Sequence, residues 1–303
     1  MWKTILFLIF TLIVVPVVAY FVDDSLTVLQ WDILKTLIWV YVITAALCFV
    51  VSTLSKNYSQ VDKLWSIIPV AYVWIVSVKV GHEPRSVLMA SLVTLWAARL
   101  TFNFARRGGY SWKFWSGDED YRWAELQAKP EMASPIKWFF FNLFFISYYQ
   151  MGLILLFTLP ALKSINSGEL TVVDVVLAIL FVFFVVLETI ADQQQWKFQS
   201  EKYRRIRRGE ALGEVYAKGF THRGLWALVR HPNYASEQAI WITFYCFSIV
   251  ATGHWINWSM VGALLLVLLF KGSSDFSEAI SASKYEAYKE YQRTVPRFVP
   301  WTK

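Results

Sequence analysis

Long apolar stretches alternate with shorter polar segments along the whole chain. Eight of the stretches approach the roughly 20 residues that a helix needs to cross the hydrocarbon of a bilayer. The last two are short and meet at Gly253, which predicts a tight helical hairpin. The sequence therefore predicts an all-α fold, a polytopic transmembrane helical bundle of about seven or eight spans. The expected spans are 4–22, 33–54, 64–80, 86–104, 136–160, 171–191, 238–252 and 255–270.

The first apolar stretch follows Lys3, as the apolar part of a signal peptide would. It is long for such a segment, and the residues that follow it run Tyr20-Phe21-Val22-Asp23-Asp24, which is not a small-residue cleavage site. We therefore expect this stretch to be a retained first helix.

The basic residues are distributed very unevenly between the predicted loops. With eight spans, one side of the membrane receives both termini and the loops at 55–63, 105–135 and 192–236. Because basic loops stay in the cytoplasm, we expect both termini to be cytosolic. The membrane is then that of the endoplasmic reticulum in a eukaryote, or the inner membrane in a bacterium. Arg99 lies within a span, and the other side receives only four basic residues, namely Lys35, Lys79, Arg85 and Lys163.

The composition agrees with a membrane protein and argues against several classes of site. Hydrophobic residues make up 56% of the 303 residues and charged residues only 17%, so the net charge of +7 mostly reflects the basic loops. We expect the lipid bilayer, and not nucleic acid, to be the partner of these loops. Cys48 and Cys246 lie in apolar spans, and no two histidines are four residues apart, so we expect neither a disulfide framework nor a metal centre.

Two predicted cytosolic segments, 105–135 and 192–236, are unusually long. The second begins with strong helix formers and has no Gly or Pro before position 209, so the sixth span should continue as a helix beyond the membrane. Glycines at positions 209, 213, 219 and 224 predict turns after it. The tail has apolar and aromatic residues at helical spacing, which predicts a C-terminal amphipathic helix over 278–293. No repeat or linker divides the chain, so one membrane domain is expected.

Polar residues near the cytosolic ends of the spans need an explanation, since a charge in hydrocarbon costs roughly 2.5–3.5 kcal/mol on insertion scales. They could simply neutralise one another and fix helix packing. Together with the arginines of the inner loops, they could instead form an anion-binding surface for a soluble ligand that carries several phosphates. Some of these arginines could equally be topology residues that face lipid. The residues concerned are Arg99, Asn103, Glu188, Asp192, Glu237, Arg204, Arg205, Arg207, Arg208, Arg223 and Arg230.

The densest polar segment precedes the seventh span. Pro232 fixes its own backbone and makes the preceding residue extended, so Arg230 and His231 are expected on a rigid turn before the next helix. Asn233 and Glu237 are four residues apart at the start of that helix and share a face. Simpler roles exist for single members, such as Asn233 as a helix cap or His231 as a turn filler, but the density of the set points to a binding site.

Ordered motifs extend from about Asp62 to Trp301, which is most of the chain. They are Val61-Asp62-Lys63-Leu64-Trp65-Ser66, Leu95-Trp96 with Arg99-Leu100-Thr101, Arg107-Gly108-Gly109-Tyr110-Ser111, Glu119-Asp120-Tyr121-Arg122-Trp123, Gln150, Glu188 to Gln195, Gly224-Leu225-Trp226 with Arg230 to Tyr234 and Glu237, and the tail pieces Lys271-Gly272-Ser273, Lys284-Tyr285, Tyr288, Tyr291 and Thr294 to Pro300. In these motifs the chain resembles the steroid 5-alpha-reductase-like membrane reductases, in the branch described as DUF1295. The resemblance divides the chain into N-terminal transmembrane helices over 1–60 and a membrane domain over 61–303.

The resemblance implies a bundle that binds NADPH at its cytosolic side and transfers a hydride to a carbon–carbon double bond conjugated to a carbonyl. The substrate would be lipophilic, such as a sterol, a steroid or an enoyl lipid. By motif, the resemblance assigns the cofactor pocket to the segment around 192 and 226–237, with a cover from the tail, and the loop arginines Arg205 and Arg223 are added for their charge. The predicted cofactor-binding residues are Asp192, Arg205, Arg223, Trp226, Arg230, His231, Asn233, Tyr234, Glu237, Tyr285, Tyr288 and Arg297.

Such a reduction needs a hydrogen-bond donor within about 2.6–3.2 Å of the carbonyl oxygen. A tyrosine or a protonated carboxyl suits a dry pocket, because burial raises the pKa of an acid. The acidic segment around position 119 could instead be a solvated turn, and Trp65 could serve packing. The candidate catalytic residues are Tyr121, Glu119 and Asp62, and the candidate substrate-binding residues are Trp65, Arg99, Asn103 and Glu188.

Two other functions stay open at this point. An S-adenosylmethionine-dependent methyltransferase of the isoprenylcysteine carboxyl methyltransferase type has a similar Arg-His-Pro-x-Tyr string before a C-terminal hairpin. A non-catalytic membrane protein could keep the bundle without the chemistry. The absence of Gly-x-Gly-x-x-Gly argues against a Rossmann domain but not against NADPH on a helical bundle. The sequence does not indicate the oligomeric state.

Overall fold

The computed structural model describes residues 10–302, and every regular element in that range is a helix, which confirms the all-α prediction. In chain order the helices are α1 (Phe10–Phe21), α2 (Val28–Ser55), α3 (Gln60–Lys79), α4 (Pro84–Ala105), α5 (Tyr121–Gln127), α6 (Pro135–Lys163), α7 (Val172–Arg208), α8 (Gly213–Ala217), α9 (Leu225–Leu228), α10 (Pro232–Thr252), α11 (Met260–Lys284) and α12 (Ala287–Thr294).

Six of these helices, α2, α3, α4, α6, α7 and α11, are long and apolar enough to cross a membrane. The chain is therefore a multi-pass membrane protein, as predicted, and its described residues contain six spans by length and composition where about seven or eight were expected. The described part of the predicted first span forms only the short apolar helix α1, and residues 4–9 of that span lie outside the described residues. Helix α10 is long enough, but its first two turns hold Asn233, Glu237 and Gln238, so its apolar part is short.

Most of the local features predicted from glycines and helix formers are confirmed. Helix α7 runs on to Arg208, well beyond its apolar part. The glycines at 209, 213, 219 and 224 all adopt positive φ, the region in which glycine avoids the clash of a Cβ atom. The tail differs from the prediction of one helix over 278–293. Helix α11 continues to Lys284 without a break, and only the short helix α12 follows it.

The chain forms two compact units. Unit 1 consists of the described residues of Met1–Ala178 together with Ile242–Leu266, and unit 2 of those of Ile179–Trp241 and Val267–Lys303. In unit 1, α3 and α4 form a hairpin that turns at Gly81, which has positive φ, and Trp96 is completely buried. Gly262 lies so close to the backbone of Leu156 that a Cβ atom would overlap it. A small residue at this crossing lets two helices approach closely, as is common between membrane helices.

A buried ion pair in unit 1 joins the start of α4 to the start of α7. Arg85 and Asp174 are almost completely buried, and the guanidinium donates to both carboxylate oxygens at 2.8 Å. The remaining Arg85 donors bind the carbonyl oxygens of Ser167 and Glu169. Asp174 also accepts from the backbone and hydroxyl of Thr171 at 2.8 Å. Both charges are therefore fully compensated where water is excluded.

We predict that Arg85→Ala destabilises the protein by about 3–5 kcal/mol, because it leaves the Asp174 carboxylate buried without its cation. Lys79→Ala is the matched control, since the Lys79–Asp32 pair is exposed and its loss should cost at most about 1 kcal/mol. Denaturant unfolding of the detergent-solubilised variants, followed by tryptophan fluorescence, measures both. Equal stability of the two variants would contradict a compensating role for this ion pair.

Candidate functional site

In unit 2 a buried glutamate, which the sequence analysis did not single out, binds two of the predicted site residues. Glu278 of α11 is only 2% exposed. Arg230 Nε donates to its Oε1 atom at 2.8 Å, and His231 Nε2 lies 2.8 Å from the same oxygen. Gln292 Nε2 donates to Oε2 at 2.9 Å. The dipeptide before Pro232 is therefore fixed by a charged centre on another helix.

The same dipeptide holds the C-terminal tail. Arg230 Nη1 donates to the carbonyl oxygens of Gln292, at 2.9 Å, and of Val295. The backbone N–H groups of Arg230 and His231 donate to the carbonyls of Pro296 and Arg297 at 2.8 and 3.1 Å. Arg297, predicted to bind cofactor, forms ion pairs with Asp275 at 2.5 Å and with Glu278 at 3.7 Å. In this structure Arg230, His231 and Arg297 therefore shape the unit by attaching its tail.

A second buried acidic group consists of an acid–amide pair and a neighbouring glutamate. Asn233 Nδ2 donates to Asp192 Oδ1 at 3.3 Å, which connects the start of α10 to α7. Glu237, one turn after Asn233, accepts from the indole of Trp241 at 3.0 Å. Asp192, Glu237 and Glu188, which lies one turn before Asp192, are each at most 5% exposed. Unit 2 thus contains two pairs of polar residues at i, i+4 spacing, Glu188 with Asp192 on α7 and Asn233 with Glu237 on α10.

The loop before Arg230 is docked on α7 next to Asp192. Trp226 Nε1 donates to the Ala191 carbonyl at 3.0 Å, and the Leu225 N–H donates to Gln194 Oε1 at 3.0 Å. Gly224 lies so close to the Gln194 side chain that a Cβ atom would overlap it. This close approach keeps the exposed Arg223 beside the turn of α7 that carries Asp192.

The predicted tail residues form an aromatic cluster. Tyr288 and Tyr291 of α12 pack on Phe220 with ring centroids 4.8 and 5.1 Å away, and all three are buried. The Tyr291 hydroxyl donates to the Trp226 carbonyl. Tyr285 is half-buried and lies against Gly219, where a Cβ atom would overlap its ring. These residues therefore cover the 219–226 loop, and their role in covering a cofactor stays a prediction.

The remaining cofactor candidates lie in different surroundings. Tyr234 stacks on His231 with centroids 5.2 Å apart and lies 4.8 Å from Phe270. Arg205 pairs with Glu201 at 2.7 Å and lies over the ring of Tyr216. Arg205 thus already has an anionic partner, whereas Arg223 makes no ion pair with any residue in the 10–302 range.

The three catalytic candidates all belong to unit 1. Asp62 is half-buried, and its Oδ2 atom accepts from Trp123 Nε1 at 3.3 Å. Glu119 accepts from the backbone N–H of Tyr58. Tyr121 is 54% exposed, so solvent competes for its hydroxyl. Asp62 is thus partly desolvated, whereas Glu119 and Tyr121 are both exposed, so the geometry gives no dry donor at this place.

The pKa values of the adjacent residues Glu119 and Asp120 shift in opposite directions. Desolvation, together with the charges of Asp62 and Asp120, raises the pKa of Glu119 above its ordinary value, although the hydrogen bond from Tyr58 opposes this. Desolvation also acts on Asp120, but the ion pair with Arg122 at 2.8 Å outweighs it and lowers the pKa of Asp120. Glu119 therefore holds its proton to higher pH than an ordinary glutamate, which suits a proton donor.

The substrate candidates are distributed over both units. In unit 1, Trp65 is half-buried with its ring 6.0 Å from that of Phe157. Asn103 is buried and accepts from Arg106 Nε at 2.9 Å, and Arg99 is half-buried one turn before it. In unit 2, Glu188 is buried on α7. Their assignment to a substrate pocket stays a prediction.

The sequence named Lys63 of unit 1 only within a motif, and the contacts of this buried lysine were not predicted. Lys63 Nζ donates to the carbonyls of Phe114 and Ser116 at 3.0 and 2.7 Å, and Gln60 Nε2 donates to the Trp115 carbonyl at 2.9 Å. The irregular segment after α4 is therefore attached to the first turn of α3. Only the motif Asp62-Lys63 pointed to this position, and a motif does not show which backbone a lysine reaches.

One group of possible metal ligands is present in unit 1. Ligand atoms of Asp23, Asp24 and His254 lie within 4.8 Å of one another. However, Lys163 Nζ is 2.9 Å from Asp23, and the Trp258 N–H also donates to this carboxylate at 2.8 Å. Burial by itself would raise the pKa of Asp23, but the hydrogen bonds from Lys163 and the backbone outweigh it and lower the pKa. The carboxylate is thus compensated by an amine, which gives it a structural role.

Comparison with known proteins places the chain in a family without assigning a chemistry. No solved structure matches it. The uncharacterized protein C594.04c of Schizosaccharomyces pombe is 36% identical over 264 residues, which cover 82% of this chain and 74% of the yeast protein. A family model described as protein of unknown function, DUF1295, matches residues 48–295. The chain therefore belongs to the DUF1295 family.

Proposed function

We propose that the protein is a membrane reductase that uses NADPH to reduce a carbon–carbon double bond conjugated to a carbonyl in a lipophilic substrate. The observation that carries this proposal is the acid–amide group of unit 2, in which the buried Asp192 and Glu237 lie with the half-buried Asn233. Carboxylates accept hydrogen bonds from ribose hydroxyls, and an amide can both donate and accept. A ligand rich in hydroxyl and amide groups suits this set.

The arginines near this group suit the phosphates of the same ligand. Arg223 is exposed and has no ionic partner among the described residues. It belongs to the loop that is docked beside Asp192. A guanidinium binds phosphate through two parallel hydrogen bonds. Arg230, in contrast, is occupied by Glu278 and by tail carbonyls. We therefore assign phosphate recognition to Arg223, and to Arg230 the positioning of the loop.

The chemistry then divides between the ligand and the chain. NADPH held by Asp192, Asn233, Glu237 and Arg223 would supply a hydride for the β-carbon of the enone and become NADP⁺, and a proton would be needed at the α-carbon. The protein has to bind the nucleotide, exclude water and donate a hydrogen bond to the carbonyl oxygen. Glu119, whose pKa is raised, stays our candidate for the source of the proton.

The buried acids also favour a second candidate. Glu188, Asp192 and Glu237 are three buried carboxylates, and S-adenosylmethionine carries both a sulfonium and an ammonium cation. A methyltransferase using this cofactor would place its cations where NADPH places hydroxyl and amide groups. The two candidates differ in what the exposed arginine recognises, since only the dinucleotide carries phosphates.

We predict that NADPH raises the melting temperature of the detergent-solubilised protein. At 100 times its dissociation constant a ligand of the native state adds about 2.7 kcal/mol. NADH should stabilise less, because it lacks the 2′-phosphate, and S-adenosylmethionine should not stabilise. Stabilisation by S-adenosylmethionine alone would establish the second candidate, and no effect of either ligand would reject both.

We further predict that Asn233→Ala and Glu237→Gln each weaken NADPH binding at least tenfold, which corresponds to about 1.4 kcal/mol. The first variant removes the partner of Asp192, and the second removes a buried negative charge while keeping an acceptor for Trp241. Titration calorimetry on the purified variants measures the affinity. Glu214→Gln, an exposed glutamate of α8 in the same unit, serves as the control. Unchanged affinity in both variants would place the nucleotide elsewhere.

A further inference from the structure

An exposed aromatic loop, residues 112–115, follows α4 in unit 1. The side chain of Trp112 is completely accessible, and those of Phe114 and Trp115 are exposed. The rings of Phe114 and Trp115 meet edge to face with their centroids 4.9 Å apart, so they form one apolar surface. A contiguous exposed apolar surface of this kind marks an interaction site, because water disfavours it.

The aromatic loop is firmly attached to the protein. Its carbonyl groups at 114 and 115 and the carbonyl at 116 accept hydrogen bonds from the side chains of Lys63 and Gln60 of α3. The Tyr110 hydroxyl donates to the Lys63 carbonyl at 2.9 Å, and Asn57 Nδ2 donates to the Gly117 carbonyl at 2.9 Å. The loop is thus held on both sides, and its rings point away from the groups that hold it.

The aromatic loop lies over the lipid-facing side of α3. Gln60 and Lys63 precede Ile67 by seven and four residues, so all three share one helix face, and Val78 lies further along that face. Ile67 and Val78 are exposed, as expected of residues that face lipid in a membrane-spanning helix. Gln60 and Lys63 on the same face are buried, and they bind the loop. The loop therefore covers this face at its first turn.

The length of α3 gives the depth of that turn. The helix contains 20 residues, and a helix of this length is about 30 Å long, which is the thickness of the hydrocarbon core. The first turn of α3 therefore lies near the headgroups of one leaflet. The aromatic loop bound to this turn lies at the same level.

The charge of the segment fits that position. Residues 106–116 contain three basic residues, Arg106, Arg107 and Lys113, and no acidic residue. Lys113 is exposed within the aromatic loop. Tryptophan is enriched at the level of the headgroups, and basic side chains are attracted to anionic headgroups. A segment that combines both kinds of residue matches the surface of an anionic bilayer.

We infer that the aromatic loop inserts into the headgroup layer of the bilayer, where its rings contact the upper part of the acyl chains and Lys113 binds an anionic phospholipid headgroup. The segment after α4 is then an interfacial anchor of the α3–α4 hairpin and not a solvated connection. This inference goes beyond the proposed function and involves neither the nucleotide nor the lipophilic substrate.

The test measures the depth of a nitroxide label by electron paramagnetic resonance in vesicles of phosphatidylcholine and phosphatidylglycerol. The full chain with Cys48→Ala and Cys246→Ala carries one labelled cysteine, at Trp112→Cys, Leu95→Cys or Gln127→Cys. Leu95 is exposed in the middle of α4 and serves as the reference for hydrocarbon, and Gln127, exposed at the end of α5, as the reference for water. Collisions with oxygen and with a water-soluble nickel complex give the depth. We expect the label at 112 about 5–10 Å into the boundary between headgroups and acyl chains.

A charge reversal tests the headgroup contact. Lys113→Glu should move the label at 112 toward water in vesicles that contain phosphatidylglycerol, because a carboxylate is repelled by anionic headgroups. In vesicles of phosphatidylcholine alone the label should keep its depth. Lys218→Glu is the matched control, since it makes the same change at an exposed lysine of unit 2 and should leave the label in place in both vesicles.

Three outcomes would overturn the inference. A label at 112 that meets the nickel complex as often as the label at 127 would place the loop in water. A label at 112 that meets neither oxygen nor the nickel complex would show that a protein surface, such as a second copy of the chain, covers the loop. An equal depth for Lys113→Glu in both kinds of vesicle would reject the contact with an anionic headgroup.

Discussion

Hydrocarbon offers no hydrogen-bond partner to a backbone polar group or to a charge, and this constraint governs most of the structure. The backbone satisfies itself in helices throughout the membrane-spanning part of the described chain. Charges that cannot reach water are paired, as in Arg85 with Asp174 and Lys163 with Asp23. Replacing such a pair by apolar residues need not be unfavourable, whereas removal of one partner leaves an uncompensated charge. The pairs therefore fix which helix ends meet.

The same constraint shows how irregular segments remain attached to the bundle. In both units a buried cation binds the carbonyl groups that a loop leaves without partners. Lys63 holds the segment at 114–116 in unit 1. In unit 2, Lys202 binds the Gly219 carbonyl at 2.9 Å and Arg230 binds the tail. These cations thus replace the regular backbone hydrogen bonds that a loop lacks.

The difference between basic residues that bind loop carbonyls and those that are exposed bears on function. The cations that hold loops are buried and bind protein carbonyl groups, whereas Arg223 is exposed on a loop that is itself firmly docked. Near that loop lies a group of acids and an amide with hydrogen-bonding capacity, which is the basis of our nucleotide proposal.

The sequence alone determined the features that depend on neighbouring residues. Apolar length predicted membrane-spanning helices, glycine spacing predicted the turns at 209–224, and Pro232 marked the start of α10, because each is a property of a few adjacent residues. Only the tertiary structure decided which distant groups meet. Glu278 lies 48 positions from Arg230, so it could not be singled out from its neighbours along the chain. An i, i+4 pattern shows that two residues share a helix face, but the packing of helices decides what that face contacts.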